Sequence, residues 1–66
     1  MKNLKEVRIS IPTEQILKRI NSTPTFSRLS RLKLEVGENI EVVNHTQYSD
    51  MCRLYPLIGV TIIELK

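Results

Sequence analysis

Sixty-six residues suffice for one domain, residues 1–66, with a modest core, and a chain this short commonly gains stability by self-association. Hydrophobic residues at 41% and charged residues at 26% exclude a disordered chain, and a single cysteine excludes an intrachain disulfide framework. The net charge of +3 and pI of about 9.4 favour an acidic partner, but fall short of the basicity usual for dedicated nucleic-acid binders.

The charged, alternating start MKNLKEVRIS is neither a signal peptide nor a transmembrane segment. No membrane association is expected, and a reducing cytoplasm is the expected location. Within this start, Leu4 to Ile11 predicts the first strand, with Val7, Ile9 and Ile11 on one face and Glu6, Arg8 and Ser10 on the other. Pro12 ends it, because proline cannot donate to a ladder.

Thr13 to Asn21 predicts a short helix. Thr13 suits the N-cap, Glu14 and Gln15 the first turn, and Lys18 and Arg19 the C-terminal end. Ile16, Leu17 and Ile20 form its apolar stripe, and Asn21 suits a left-handed exit. The turn cluster Asn21-Ser22-Thr23-Pro24 follows. Thr23 as N-cap with Pro24 at the first position then starts a helical turn to about Ser30, pointing Phe26 and Leu29 inward. The alternative is a strand reaching back to Phe26.

Arg31 to Val43, RLKLEVGENIEVV, reads as a β-hairpin around which the rest packs. Leu32, Leu34 and Val36 alternate with Lys33 and Glu35, and Ile40 and Val42 alternate with Glu41. A three-residue loop, Gly37-Glu38-Asn39, pairs Val36 with Ile40 and Leu34 with Val42, which makes one face wholly apolar. Asn39 would take the left-handed last position of that loop. The cost is Glu35 opposite Glu41, read as an exposed rim or as an acidic spot kept for a basic partner.

Asn44 to Asp50, NHTQYSD, lacks apolar periodicity and predicts a loop. Met51 to Leu57 fits helix and strand spacing alike, and Pro56 ends it. Val60 to Leu65 predicts the last strand, with Val60 and Ile62 on one face and Ile63 and Leu65 on the other. Two apolar faces imply an interior strand or one covered by a partner, and the N-terminal strand is a candidate to pair with it. The fold class is therefore α+β: a small, mostly antiparallel sheet with one or two short helices. A homodimer is expected, with Val60 to Leu65 at or beneath the interface.

Signals for chemistry are sparse. His45, Tyr48, Asp50 and Cys52 crowd into HTQYSDMC, but a cysteine nucleophile needs a base beside it in space, and His-x6-Cys is no established metal spacing. The plain reading makes Cys52 a small buried hydrophobe and His45 a loop residue. Gly37 and Gly59 stand alone, so no phosphate loop exists, and no triad appears. Asn21-Ser22-Thr23 and Asn44-His45-Thr46 match the glycosylation pattern by chance. No catalysis, metal or cofactor is expected.

The basic residues Arg8, Lys18, Arg19, Arg28, Arg31 and Lys33 are candidate phosphate contacts. Phe26, Tyr48 and Tyr55 are the only aromatics, which leaves a base-stacking platform poorly supplied. The segment Leu54-Tyr55-Pro56-Leu57-Ile58, together with Ile63, is a candidate protein-binding patch, of the kind an inhibitor or adaptor from a phage or mobile element would use; the plainer alternative is that Leu54 to Ile58 form a lid on the core.

The pieces VRISIP (Val7 to Pro12), EQILKRI (Glu14 to Ile20), LKLEVGENIEV (Leu32 to Val42) and VTIIEL (Val60 to Leu65) follow one another in an order that resembles the swapped-hairpin DNA-binding proteins of the AbrB and MazE type. Two connections, Asn21 to Arg31 and Asn44 to Gly59, are longer than such proteins usually have. The resemblance implies a dimeric, antitoxin-like transcription regulator that binds DNA. The basic residue that family carries before its proline maps at best to Arg8.

Overall fold

The computed structural model describes residues 4–65. Its centre is the strand the alternation of VRISI predicts: β1, Lys5–Ile11. Val7, Ile9 and Ile11 are essentially fully buried, and Pro12 stops the strand. The strand β2 (Gly37–Val43) and the last strand, β3 (Thr61–Leu65), both pair antiparallel with β1, in the order β2-β1-β3. Val7 lies opposite Glu41 on one side and Glu64 on the other, and Ile9 lies opposite Asn39 and Ile62.

Helices cover one face of this sheet, an α+β architecture of two layers. The first, α1 (Glu14–Ser22), starts where Thr13 accepts a hydrogen bond from the Ile16 amide at 3.3 Å. Ile20 is buried, and Ile16 and Leu17 pack against the core. The helix runs past Asn21, which keeps its helical conformation; no non-glycine residue described has positive φ. The exit falls at Thr23, which is extended (φ −111, ψ 112), because Pro24 disfavours a helical residue before it. Pro24 opens α2 (Pro24–Ser27), one turn shorter than predicted, and Leu29 beyond it enters the core.

The predicted hairpin does not form. Residues 32–36 make no strand, and β2 pairs with β1 instead. Of the alternating set, only Leu34 is buried; Leu32 and Val36 are exposed. Asn39 is not a left-handed turn residue but a strand residue. Its carboxamide accepts from the Glu35 amide at 2.9 Å and donates to the Glu35 carbonyl at 2.8 Å. It also donates to the Ile9 carbonyl at 3.2 Å.

Consequently β2 has the opposite phase from the predicted one. Glu41 is inside, 5% exposed, while Ile40 and Val42 are outside. Glu41 does not oppose Glu35. Its carboxylate accepts hydrogen bonds from the Ser30 hydroxyl and, at 3.0 Å, from the Arg31 amide. It is neither a rim charge nor an exposed acidic spot.

The predicted loop after β2 is a helix, α3 (His45–Leu54), begun by Asn44, whose side chain accepts from the Gln47 amide at 2.7 Å. Tyr48, Met51 and Tyr55 form a stripe at spacings of three and four that crosses the predicted loop boundary, and Met51 and Tyr55 are fully buried. A 3-10 turn, Tyr55–Ile58, carries Pro56 near its start and ends at Gly59, whose φ of 91° favours glycine. The strand β3 then lies at a sheet edge, not in the interior; the two-sided apolar pattern reflects Ile62 facing in and Ile63 facing out.

Replacing Glu41 with Ala leaves the Ser30 hydroxyl and the Arg31 amide without their acceptor. A loss of about 1–3 kcal/mol is expected in chemical denaturation, with faster hydrogen exchange at the Arg31 amide. Glu41→Gln keeps one acceptor oxygen and should lose less.

Candidate binding surfaces

Alternation along the strands decides what the uncovered face of the sheet displays. The residues of β1 opposite to Val7, Ile9 and Ile11 are Glu6, Arg8 and Ser10. Register places Arg8 between Ile40 and Ile63, Glu6 between Val42 and Leu65, and Ser10 between Glu38 and Thr61. The result is two rows, each apolar at the flanks and charged in the middle. Ile40 is 47% exposed, Val42 57% and Ile63 40%. Arg8 Nη1 lies 3.8 Å from Glu38 Oε1, and its Nε is buried without a hydrogen-bond partner. At the other side of β1, Lys5 Nζ lies 3.3 Å from Glu64 and 5.4 Å from the Tyr48 ring centre.

A second surface lies where α3 begins. Arg28 and Arg31 line a groove of about 250 Å³ with Asn44, Thr46, Gln47 and Asp50. Gln47 donates its carboxamide to the Leu29 carbonyl at 2.5 Å, which ties α3 to the segment carrying both arginines. Asn44 caps the Gln47 amide, while the first-turn amides of a helix lack helical acceptors and carry partial positive charge. Asp50 answers part of that charge and pairs with Arg53 at 2.8 Å.

Of the six basic residues singled out by sequence, only Arg28 and Arg31 share this groove. Lys33 is exposed in the following loop, and Lys18 and Arg19 are exposed on α1. Arg8 stands on the open sheet face, away from the groove. Among the candidate protein-binding residues, Tyr55 is overturned: it is fully buried, stacked on Phe26 with ring centres 6.3 Å apart, and its hydroxyl donates to the Phe26 carbonyl. Leu54 and Ile58 pack partly against the core, leaving Leu57 exposed at 76%. Sequence reasoning missed Ile40 and Val42 as surface residues because it assigned them to the core. The Asn44 cap and the Tyr48-Met51-Tyr55 stripe were the signals that could have revealed α3.

The HTQYSDMC cluster is spread along that helix. Cys52 is exposed rather than buried, since it follows the inward-facing Met51 by one position. His45 and Cys52 stand seven residues apart in α3, roughly 10 Å along its axis, too far for a thiol–imidazole hydrogen bond. Contact with Cys52, then burial and Glu64, raises the Tyr48 phenol above its ordinary value. Among the described residues, no three His, Cys, Asp or Glu side chains converge on a metal-sized site, and no helix is long and apolar enough to cross a membrane.

No protein-family model, no curated protein and no solved structure matches this chain.

Burial, with a smaller contribution from the Glu41 carboxylate, pushes the Tyr55 phenol up to about 12 from an ordinary 10.0. The folded state holds that proton more tightly than the unfolded chain does. This contribution to stability is thus fully present below the unfolded value, and is lost as pH rises through the folded one. In a spectrophotometric titration Tyr55 should ionise last, near pH 12, and Tyr55→Phe should remove that component together with about 1 kcal/mol of stability from the lost hydrogen bond.

Proposed function

We propose that this chain is a small non-enzymatic regulatory protein that acts as a dimer and binds DNA through the groove at the start of α3. The observation that carries this reading is the convergence of Arg28 and Arg31 on the first turn of a capped helix. Two guanidinium groups beside helical amides suit a phosphate, by charge and by hydrogen-bond direction. Lys33, and Lys18 and Arg19 on α1, are exposed and are further candidates for contacts along a backbone. Arg8 takes no part, because it belongs to the opposite side of the sheet. The net charge of +3 per chain supports the same partner class.

A protein-binding role, as an inhibitor or adaptor, is the second reading. It is favoured by one specific observation, the exposed Ile40, Val42 and Ile63 on the uncovered sheet face. Of the previously suggested patch, Leu57 remains most available. A pull-down that recovers one protein after nuclease treatment favours this reading over DNA.

For the first reading, duplex DNA should be retarded at low salt, with affinity falling linearly in log[salt]. The Arg28→Ala/Arg31→Ala double variant should keep its fold, because both residues are exposed and Glu41 holds only the backbone amide of Arg31. Its salt slope should shrink by about 1.8, roughly 0.9 for each lost phosphate contact. Absence of retardation for any duplex at low salt removes the DNA reading.

A further inference from the structure

The uncovered sheet face is built to meet itself. Along β1 its two central residues carry opposite charges, Glu6 and Arg8, two positions apart. Apolar residues flank each of them: Val42 and Leu65 beside Glu6, Ile40 and Ile63 beside Arg8. Consider a two-fold axis lying between two copies of this face, perpendicular to β1 and passing over Val7. It exchanges positions 6 and 8, so Glu6 of each copy faces Arg8 of the other. The same axis keeps each flank on its own side. Ile40 then meets Val42 of the second copy, and Ile63 meets its Leu65. Every apolar residue finds an apolar one and both charges find opposites. An axis parallel to β1 does the reverse, stacking Arg8 on Arg8 and Glu6 on Glu6, which like-charge repulsion disfavours.

We propose that this chain forms a two-fold dimer by packing its open sheet faces together, with the β1 strands antiparallel across the interface and Glu6 paired to Arg8 of the second copy. Sheets packed in this way lie about 10 Å apart with strands aligned to within about 30°, and an interface that repeats one patch on both sides is the usual symmetric solution. The Arg8 guanidinium is also weakly engaged within its own chain: its side chain is 36% exposed, its ion pair with Glu38 is long at 3.8 Å, and no closer carboxylate pairs with it among the described residues. The second copy's Glu6 brings a carboxylate to the exposed end of this guanidinium from above the sheet.

Three strands spaced about 4.8 Å apart offer a face roughly 15 Å wide. Two such faces bury an area toward the low end for specific complexes. The dimer is therefore concentration-dependent, with the apolar flanks supplying attraction and the charges supplying orientation. The proposal does not depend on whether DNA is the ligand, because the groove at α3 lies outside the face.

Sedimentation and concentration-dependent melting test it without DNA. The unaltered chain should pass from monomer to dimer as concentration rises, and its Tm should rise with it. Ile63→Lys should raise the dimer Kd by about tenfold or more, as should Glu6→Arg and Arg8→Glu singly, since each places like charges face to face. Circular dichroism checks that each variant remains folded. The discriminating step is mixing: Glu6→Arg and Arg8→Glu chains should associate with each other as a one-to-one dimer, and the doubly exchanged chain should dimerise with itself. A monomer at every concentration, a dimer indifferent to Ile63→Lys, or two charge variants that fail to associate when mixed would each overturn the proposal. Photocrosslinking from position 63 to a different protein, with the pure chain monomeric, would assign the face to that protein instead.

Discussion

The carboxamide of Asn39 and the carboxylate of Glu41 point into the protein from adjacent inward positions of β2, and the fold depends on what they hold there. Asn39 satisfies both backbone groups of Glu35 and reaches the Ile9 carbonyl on the central strand. Glu41 takes the Ser30 hydroxyl and the Arg31 amide. Together they moor residues 30–36, which have no strand or helix of their own, beside β2. An irregular segment near a core leaves backbone groups that must find partners. Here two polar side chains supply them, and Leu34 within the segment and Leu29 just before it enter the core.

This mooring sets the phase of β2, and the phase has a cost. With Asn39, Glu41 and Val43 inward, Ile40 and Val42 turn outward. Swapping one face for the other would bury two aliphatic side chains, yet it would take from the Ser30 hydroxyl, the Arg31 amide and both Glu35 backbone groups the side-chain partners they now have. The part-buried Ser30 hydroxyl and Arg31 amide weigh most in that balance, because an unsatisfied buried donor costs about as much as burying a methyl-rich side chain yields, whereas water can replace Asn39 at the exposed Glu35 groups. The apolar residues left outside, Ile40 and Val42, join Ile63 in giving the open sheet face exposed aliphatic surface.

The helical layer follows a different logic. Each of α1 and α3 is short and stands only because it docks on the sheet. Their starts are set by side-chain caps, Thr13 and Asn44, and their inward stripes by Ile16, Leu17 and Ile20 in one case and Tyr48, Met51 and Tyr55 in the other. Tyr55 joins the two ends of the layer, with its ring against Phe26 and its hydroxyl on the Phe26 carbonyl. The Gln47 bond to Leu29 fixes the first turn of α3 against the arginine-bearing segment, so the groove there is a product of packing and not of local sequence.

By itself the sequence determined the elements whose causes lie within a few residues. The alternation of Val7, Ile9 and Ile11 made a strand, Pro12 ended it, Thr13 capped a helix, and Pro24 opened the next. The class, a small antiparallel sheet with short helices, followed from these, as did a last strand pairing with the first. Clustering of Arg28 and Arg31 was also visible in the chain. Only the tertiary structure decided which strand β2 would join and which of its faces would be wet. Two faces were on offer locally, Ile40 and Val42 or Asn39 and Glu41, and hydrophobicity alone favours the first. The choice depended on acceptors and donors elsewhere: the Ile9 carbonyl thirty residues away, the Ser30 hydroxyl and the Arg31 amide. A period of two identifies a strand while leaving its phase to the fold, because both phases are open locally and the partners that settle the choice, the Ser30 hydroxyl, the Arg31 amide and the Ile9 carbonyl, are in place only once residues 30–36 and β1 pack beside β2.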